Sequence, residues 1–226
     1  MKYLFVVAHP DDEVLGAGAF IYDATQRGEQ VAVAVLNSCD TTRYETDPNG
    51  IMNDLNKSHK ILGIEKCYQG MFLDSNFNSV NHRTMVQFIE NAIRDYEPDV
   101  IFTQHPGDVN TDHYWCAASC MEAFRLFQRG REKAHPISAL YLMEVQSSTD
   151  WGVNPCEKRF EPNTFVEVSY EALSKKVSAL SVYENVIRDH PHPRSVESLM
   201  SLPRVRGSQA GYMNAEAFEC VFRRGI

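Results

Sequence analysis

Apolar and polar positions along the chain follow two alternating patterns. Apolar runs of strand length occupy 2–8, 30–37, 66–70, 99–104 and 139–145. Apolar residues at helical spacing occupy 12–27, 51–62, 85–96, 112–129 and 170–189. The first run, KYLFVVA, is continuously apolar, as is typical of a central strand buried on both faces. Strands and helices in this order predict βαβ units and an α/β fold with a mostly parallel sheet.

The last third of the chain is less regular than the rest. After residue 150 it contains one clear helical stretch, a Pro/His-rich turn DHPHPRS at 189–195, and a closing strand at 216–222. A length of 226 residues suits one hydrophobic core. We therefore expect a single domain over 1–226, with an α/β core at 1–149 and a C-terminal elaboration at 150–226 that closes the substrate pocket.

Composition narrows the class of protein. The chain has 43% apolar and 23% charged residues, which is ordinary for a globular enzyme. Its formal net charge is -8, with 22 basic against 30 acidic residues and no basic block. A nucleic-acid partner is therefore not expected. The opening MKYLFVV is too short for a signal sequence, and no apolar run reaches membrane-spanning length. These features predict a soluble, cytoplasmic protein.

Cysteine usage indicates free thiols. The chain has six cysteines and no C-x-x-C motif. Cys116 and Cys120 are four residues apart on a predicted helix, but no further ligands nearby complete a thiolate metal site.

Two clusters of titratable residues follow predicted strands. The first strand runs into His9-Pro10-Asp11-Asp12-Glu13, and the strand at 99–104 runs into HPGDVNTDH at 105–113. In open α/β sheets, ligands bind beyond the carboxyl ends of the strands. A set of His and carboxylate side chains with one open position is what a catalytic Zn²⁺ requires, and a water in that position has its pKa lowered to about 7.

The spacing within the first cluster suggests separate roles. His9 and Asp12 are three residues apart across a turn stiffened by Pro10, so both can reach one ion. Asp11 lies between them and is left beside the water, where a general base belongs. The natural third ligand is His113. Taken alone, the acidic residues could simply start a helix, but that does not explain His9 or the second cluster.

These motifs resemble the LmbE/PIG-L family of zinc-dependent N-deacetylases. AHPDDE at 8–13 is similar to the family signature, and the similarity extends through DVIFTQHPGDVNTDH, MEVQSSTDWG, HPHPRSVESL and AEAF. The resemblance implies a Rossmann-like fold, zinc on His9, Asp12 and His113, and Asp11 as general base. Asp112 would bond or orient a catalytic or ligand histidine. The later motifs resemble a branch that acts on N-acetylated sugars, and homo-oligomers are common in the family.

The sequence departs from the family at one catalytic position. Many members have a histidine three residues before the third ligand, which stabilises the tetrahedral intermediate, whereas this chain has Asn110. Asparagine donates a hydrogen bond but supplies neither a charge nor a proton. His105 and His192 are candidates for the acid role. Alternatively, Asp11 returns the proton itself, and its partner provides electrostatic stabilisation only.

Three further residues are candidates for substrate contact. Arg43 lies in the polar loop after the second strand and resembles a family position that touches substrate. Arg194, beside His190 and His192 in the rigid turn, would form a wall of a sugar pocket. Trp151 could stack on a pyranose ring or pack in the core.

The main hypothesis is a zinc-dependent amidohydrolase that removes the acetyl group of an N-acetylated amino sugar or sugar conjugate. By ligand preference, Fe²⁺ or Co²⁺ could replace Zn²⁺. One alternative is a metal-dependent deacylase of a small amide that is not a sugar. The other is a non-catalytic sugar- or nucleotide-binding module, although no G-x-G-x-x-G follows the first strand.

Overall fold

The computed structural model describes residues 1–38, 50–129, 134–152 and 159–225. The strands are β1 Lys2–Val7, β2 Gln30–Val35, β3 Lys66–Gln69, β4 Val100–Gln104, β5 Ala139–Met143, β6 Thr164–Glu167 and β7 Ala215–Arg223. The helices are α1 Asp12–Gln26, α2 Gly50–Leu62, α3 His82–Tyr96, α4 Thr111–Ala123, α5 Leu126–Arg129, α6 Tyr170–Leu180 and α7 Val196–Ala210.

The strands form one mixed sheet in the order β3-β2-β1-β4-β5-β7-β6. The strands from β3 to β5 in this order are parallel to their neighbours. β7 pairs antiparallel with β5, and β6 pairs antiparallel with β7. The prediction of a Rossmann-like, mostly parallel sheet flanked by helices is confirmed. β1 lies between β2 and β4, so the two strands that precede the His/Asp clusters are direct neighbours.

Both faces of the sheet are buried. Tyr3 and Phe5 of β1 pack on the face covered by α1 and α6, where Phe5 stacks on Phe102 at 4.7 Å between ring centroids. Leu4 and Val6 pack on the opposite face, against α3 and α4. This alternation is why β1 reads as an uninterrupted apolar run. Among the described residues, no helix is both long and apolar enough to cross a membrane.

The helices differ from the sequence prediction in three places. The stretch predicted as one helix over 112–129 is two helices, α4 and α5, separated by a turn at 124–125. The helix predicted over 170–189 ends at Leu180. Helix α7 was not predicted, because Pro203 lies inside it and only Leu199, Pro203 and Gly207 are buried, which leaves little apolar periodicity. The four described cysteines are free thiols, as predicted.

Helix α1, which begins at the candidate site, is broken in the middle. Ala17 has φ -150° and ψ 19°, non-helical values that divide α1 into two segments. The buried ion pair of Lys176 and Glu216 (2.7 Å) contacts the backbone on both sides of this break. Lys176 Nζ donates to the Leu15 carbonyl at 2.8 Å, and Glu216 accepts from Ala19 N–H at 3.3 Å. Because the pair satisfies both backbone groups, it stabilises the break and ties α6 and β7 to α1.

We expect Lys176→Met to reduce the free energy of unfolding by about 3–5 kcal/mol, because it leaves the Glu216 carboxylate buried without its counter-charge. The double variant Lys176→Met/Glu216→Gln should recover part of that loss. The measurement is urea unfolding followed by circular dichroism. Lys57→Met, which removes an exposed lysine paired with Asp54, is the matched control and should cost far less. Equal losses in the two lysine variants would contradict the assignment.

Candidate active site

The two His/Asp clusters lie side by side because β1 and β4 are parallel neighbours that end at the same edge of the sheet. His9 stands just beyond β1, Asp12 opens α1, and His113 lies in the first turn of α4. Donor atoms of these three side chains lie within 4.8 Å of one another. The structure thus brings together the three residues that the sequence assigned to one ion.

The imidazole of His9 is oriented by Asp112, which is buried. The Asp112 carboxylate accepts hydrogen bonds from the backbone N–H groups of Ser75 (2.7 Å) and Phe77 (3.1 Å). Nε2 of His9 lies 3.2 Å from the same carboxylate. Because a carboxylate only accepts, Nε2 carries a proton toward Asp112, and Nδ1, which faces Asp12, is the nitrogen that a bound ion would take.

The imidazole of His113 is held by a second carboxylate on its other nitrogen. Nδ1 of His113 lies 2.6 Å from Oδ2 of Asp108 and 3.4 Å from Oγ of Ser148. Nδ1 therefore donates its proton to Asp108, and Nε2, which faces Asp12, is the nitrogen that a bound ion would take. The sequence alone does not assign a role to Asp108. Its position five residues before His113, within the loop that follows β4, is the feature that could have indicated the contact with His113.

The three donors match the geometry of a four-coordinate ion. Ligand atoms about 2.0–2.1 Å from a tetrahedral ion stand roughly 3.3 Å apart. Oδ2 of Asp12 lies 3.5 Å from Nδ1 of His9 and 3.4 Å from Nε2 of His113. The same oxygen accepts from the backbone N–H of His9 and from the Gln104 amide, at 2.9 and 2.7 Å. These residues fit a catalytic Zn²⁺ that keeps one position for water or substrate.

Electrostatics in the cluster favour a bound cation. Burial alone lowers the pKa of His113, but Asp12 and Asp108 outweigh it and raise that pKa to about 9. Burial disfavours the ionised form of Asp12, yet His113 and His9 hold its pKa well below the usual range. The pKa of His9 is raised well above normal by three surrounding carboxylates, against the effect of burial. A divalent ion would replace the protons that these imidazoles otherwise hold.

A second group of donors shares His9. Among the described residues, His9, Asp74 and Asp112 also lie within 4.8 Å of one another. Asp74 is 3.0 Å from Nε2 of His9, on the side of the ring away from Asp12. The first group fits an ion better, because the Asp112 carboxylate already accepts two backbone N–H bonds and the His9 proton.

Asp11 occupies a strained position at the start of α1. Its backbone has φ 95° and ψ -21°, a left-handed conformation that Asp tolerates better than most residues. Such strain is typical of functional sites. The turn sends two successive carboxylates in different directions, with Asp12 toward the imidazoles and Asp11 toward Arg194, whose Nη1 lies 3.6 Å from Asp11 Oδ2.

A cavity of about 300 Å³ opens over these groups. This volume is at the small end of the range for ligand pockets, about 300–1,000 Å³. The described residues that line it are His9, Pro10, Asp11, Asp12, Asn37, Ile51, Asp74, Ser75, Val109, Asn110, His113, Ser147, Ser148, Trp151 and Arg194. Two of them, Trp151 and Arg194, come from the part of the chain predicted to close the pocket.

Two predicted acid candidates do not line this cavity. His105 is 1% exposed, accepts from Gly107 N–H at 3.0 Å, and turns Nε2 toward Glu219 at 3.6 Å. His192 accepts from Arg194 N–H at 3.0 Å and packs edge-on against Trp151, with ring centroids 5.4 Å apart. Neither ring is part of the described cavity wall, and the acid role of both residues stays a prediction.

Of two other predicted site residues, Asn110 is described by the structure and Arg43 is not. Asn110 lines the cavity and caps α4, where its Oδ1 accepts from Asp112 N–H at 2.9 Å. That bond fixes the amide orientation and leaves the NH₂ group as a donor. Arg43 lies outside the described residues.

The fold and the His/Asp site together define an α/β protein with a candidate metal centre at the carboxyl edge of its sheet. The sequence matches the model of the PIG-L family, described as GlcNAc-PI de-N-acetylase, over residues 4–124. This segment is more than half of the chain and contains His9, Asp12 and His113. The chain belongs to the PIG-L family, as the motifs indicated.

Individual relatives agree with this assignment. The chain is 25% identical over 191 residues to the uncharacterized deacetylase YaiS of Escherichia coli K12, which covers 80% of this chain and 90% of YaiS. N,N'-diacetylchitobiose deacetylase from Pyrococcus horikoshii superposes with a TM-score of 0.77, at 18% identity over 97% of this chain and 83% of that one.

The same fold also carries different chemistry. GalB, the 4-carboxy-2-hydroxymuconate hydratase of Pseudomonas putida KT2440, superposes with a TM-score of 0.74, at 18% identity over 100% of this chain and 98% of GalB. At these identities the structural comparisons establish the fold, and the activity has to be argued from the site.

We expect Asp108→Asn to weaken Zn²⁺ affinity by about 10–100-fold, because the amide no longer fixes the proton on Nδ1 of His113. Competition between the apoprotein and a chelating zinc indicator measures the affinity. The matched control is Asp99→Asn, which alters another carboxylate–imidazole pair, with His135 at 3.0 Å, and should leave affinity unchanged. An unchanged affinity in Asp108→Asn would contradict the assigned orientation.

Proposed function

We propose that this chain is a zinc-dependent N-deacetylase that hydrolyses the acetamide of an N-acetylated amino sugar or sugar conjugate to the free amine and acetate. The observation that carries the proposal is the convergence of two carboxylate-oriented imidazoles on Asp12, with a further carboxylate, Asp11, in the same cavity. The proposed metal ligands are His9, Asp12 and His113. Fe²⁺ or Co²⁺ would suit the same ligands. The cytoplasmic location and a homo-oligomeric state stay predictions.

The residues divide the reaction between them. When bound, the ion polarises the acetamide carbonyl and lowers the pKa of the attacking water. Asp11 takes a proton from that water as its oxygen adds to the carbonyl carbon, and the C=O electron pair moves to oxygen. When the C–N bond breaks, the C=O bond re-forms and Asp11 returns the proton to nitrogen, which leaves as the amine. The Asn110 amide, which lines the cavity, donates a hydrogen bond to the developing oxyanion.

The cavity wall suits a neutral sugar. Trp151 is 45% exposed and lines the cavity, and its ring lies nearly perpendicular to that of His192, with centroids 5.4 Å apart. An exposed indole offers an apolar surface for a pyranose ring. The relative from Pyrococcus horikoshii is named for activity on an N-acetylated disaccharide, which supports the same substrate class.

Asp11→Asn should lower kcat by about 10²–10⁴-fold, the usual contribution of a general base, with zinc content unchanged. The assay is release of free amine from a panel of N-acetylated sugars and nucleotide sugars, using metal-stripped protein with and without added Zn²⁺. The matched control is Asp74→Asn, which removes another carboxylate of the cavity and should lower kcat less than tenfold. If zinc-loaded wild-type protein releases no amine from any substrate of the panel, the sugar substrate is contradicted. Failure to bind zinc would contradict the whole proposal.

Trp151→Ala should raise KM for the best sugar substrate with little change in kcat, because stacking on the sugar stabilises bound substrate and transition state alike. Trp151→Phe, which keeps an aromatic face, should retain most of the affinity. The same assay measures both. A fall in kcat with unchanged KM would argue against a stacking role.

A further inference from the structure

The proposed reaction places negative charge on the carbonyl oxygen, and the residue expected to meet it is neutral. Asn110 has its Oδ1 committed to capping α4, so it offers one uncharged N–H donor. The two histidines that the sequence offered as replacements do not line the described cavity; His105 lies toward Glu219 and His192 lies against Trp151. A positive charge that supplements the proposed ion must therefore come from another side chain of the described cavity.

Arg194 supplies that charge in the described part of the cavity. Its side chain is 21% exposed and lines the cavity. Nη1 lies 3.6 Å from Oδ2 of Asp11, so the guanidinium stands beside the proposed base. The distance is longer than a hydrogen bond. The Nη groups can therefore turn toward a new oxyanion without breaking a short ion pair.

The guanidinium of Arg194 is held by residues 147–148, which also contact the proposed metal ligand His113. Nε of Arg194 donates to Oγ of Ser147 at 2.6 Å, and the next residue, Ser148, places its Oγ 3.4 Å from Nδ1 of His113. Ser147 has φ 68°, a left-handed conformation unusual for a residue other than glycine. This strained turn uses one of the five guanidinium N–H groups to fix Arg194 and leaves the four Nη protons for the cavity.

We propose that Arg194 is a catalytic residue that stabilises the tetrahedral oxyanion, in place of the histidine that Asn110 replaces. This inference rests on the proposed function. Water adds to the acetamide carbon, Asp11 holds the proton, and the Nη groups of Arg194 donate to the oxygen that has received the C=O electron pair. A guanidinium does not lose its proton in this reaction. The proton for the leaving amine therefore comes from Asp11, and the two roles of the family's histidine are divided between two side chains.

The test is amine release by zinc-loaded Arg194→Gln and Arg194→Lys. Arg194→Gln should lower kcat by about 10²–10³-fold with less than a threefold change in KM, as for loss of one oxyanion donor. Arg194→Lys keeps the charge and should recover at least tenfold of that loss. Arg188→Gln is the matched control, because it removes an exposed arginine of the same turn region that does not line the described cavity. It should leave kcat unchanged.

A second measurement does not depend on turnover. A phosphonamidate analogue of the N-acetylated sugar carries a tetrahedral oxyanion, and its dissociation constant can be measured by calorimetry. Arg194→Gln should weaken this analogue by about the same factor as kcat/KM, while affinity for the free amino sugar stays unchanged. Circular dichroism and zinc content establish that each variant is folded and loaded.

The outcomes separate the inference from the proposed function. Active wild-type protein with an Arg194→Gln variant of unchanged kcat, or one with raised KM alone, overturns the inference and leaves the deacetylase standing. A kcat loss in Arg43→Gln but not in Arg194→Gln assigns the charge to Arg43 and also overturns it. Wild-type protein that neither releases amine nor binds the analogue overturns both.

Discussion

Oδ2 of Asp12 is the atom on which the site depends. It accepts from the backbone N–H of His9 and from the Gln104 amide, so it ties the carboxyl end of β1 to that of β4. It also faces one nitrogen of each imidazole, His9 and His113. The position of this oxygen is set by α1, which begins at Asp12, and α1 is held by the ion pair that bridges its break. The geometry of the candidate metal centre is therefore set by one carboxylate, at which helix, sheet edge and imidazoles meet.

Several carboxylates lie close together in the candidate site, and a folded protein tolerates this negative charge only when opposite charges or hydrogen bonds offset it. Asp11, Asp12, Asp108 and Asp112 are each less than 9% exposed, and buried carboxylates are costly unless paired or hydrogen-bonded. Backbone N–H groups bond Asp112, imidazoles contact one oxygen each of Asp12 and Asp108, and the N-terminus of α1 favours the acids at its start. Oδ1 of Asp108 is buried without a hydrogen-bond partner among the described residues. A divalent ion at the candidate site would offset the remaining negative charge.

The local pattern of apolar residues predicted the strands and the convergence of their ends, but it did not predict contacts between residues far apart in the chain. His9, Asp12 and His113 could be assigned because strand ends of a parallel sheet converge, which follows from the apolar pattern alone. The direction of a loop side chain does not follow from that pattern. His105 is therefore a candidate although its ring points to Glu219, and the pattern assigns no single role to Asp108, which bonds His113. Lys176 and Glu216 are 40 residues apart, and no local pattern predicts that they pair.

Proteins with this fold catalyse different reactions, since proteins named as a deacetylase and as a hydratase share the same sheet. What distinguishes them must lie in the groups around the common sheet edge. In a cluster of carboxylates, a histidine holds a proton with an affinity that depends on every neighbour, so its charge varies with metal loading. An arginine carries its charge in all of these states. Arg194 therefore gives this acidic cavity a positive charge that does not vary with metal loading. In the proposed reaction, Arg194 can stabilise the oxyanion only because Asp11, beside it, takes and returns the proton.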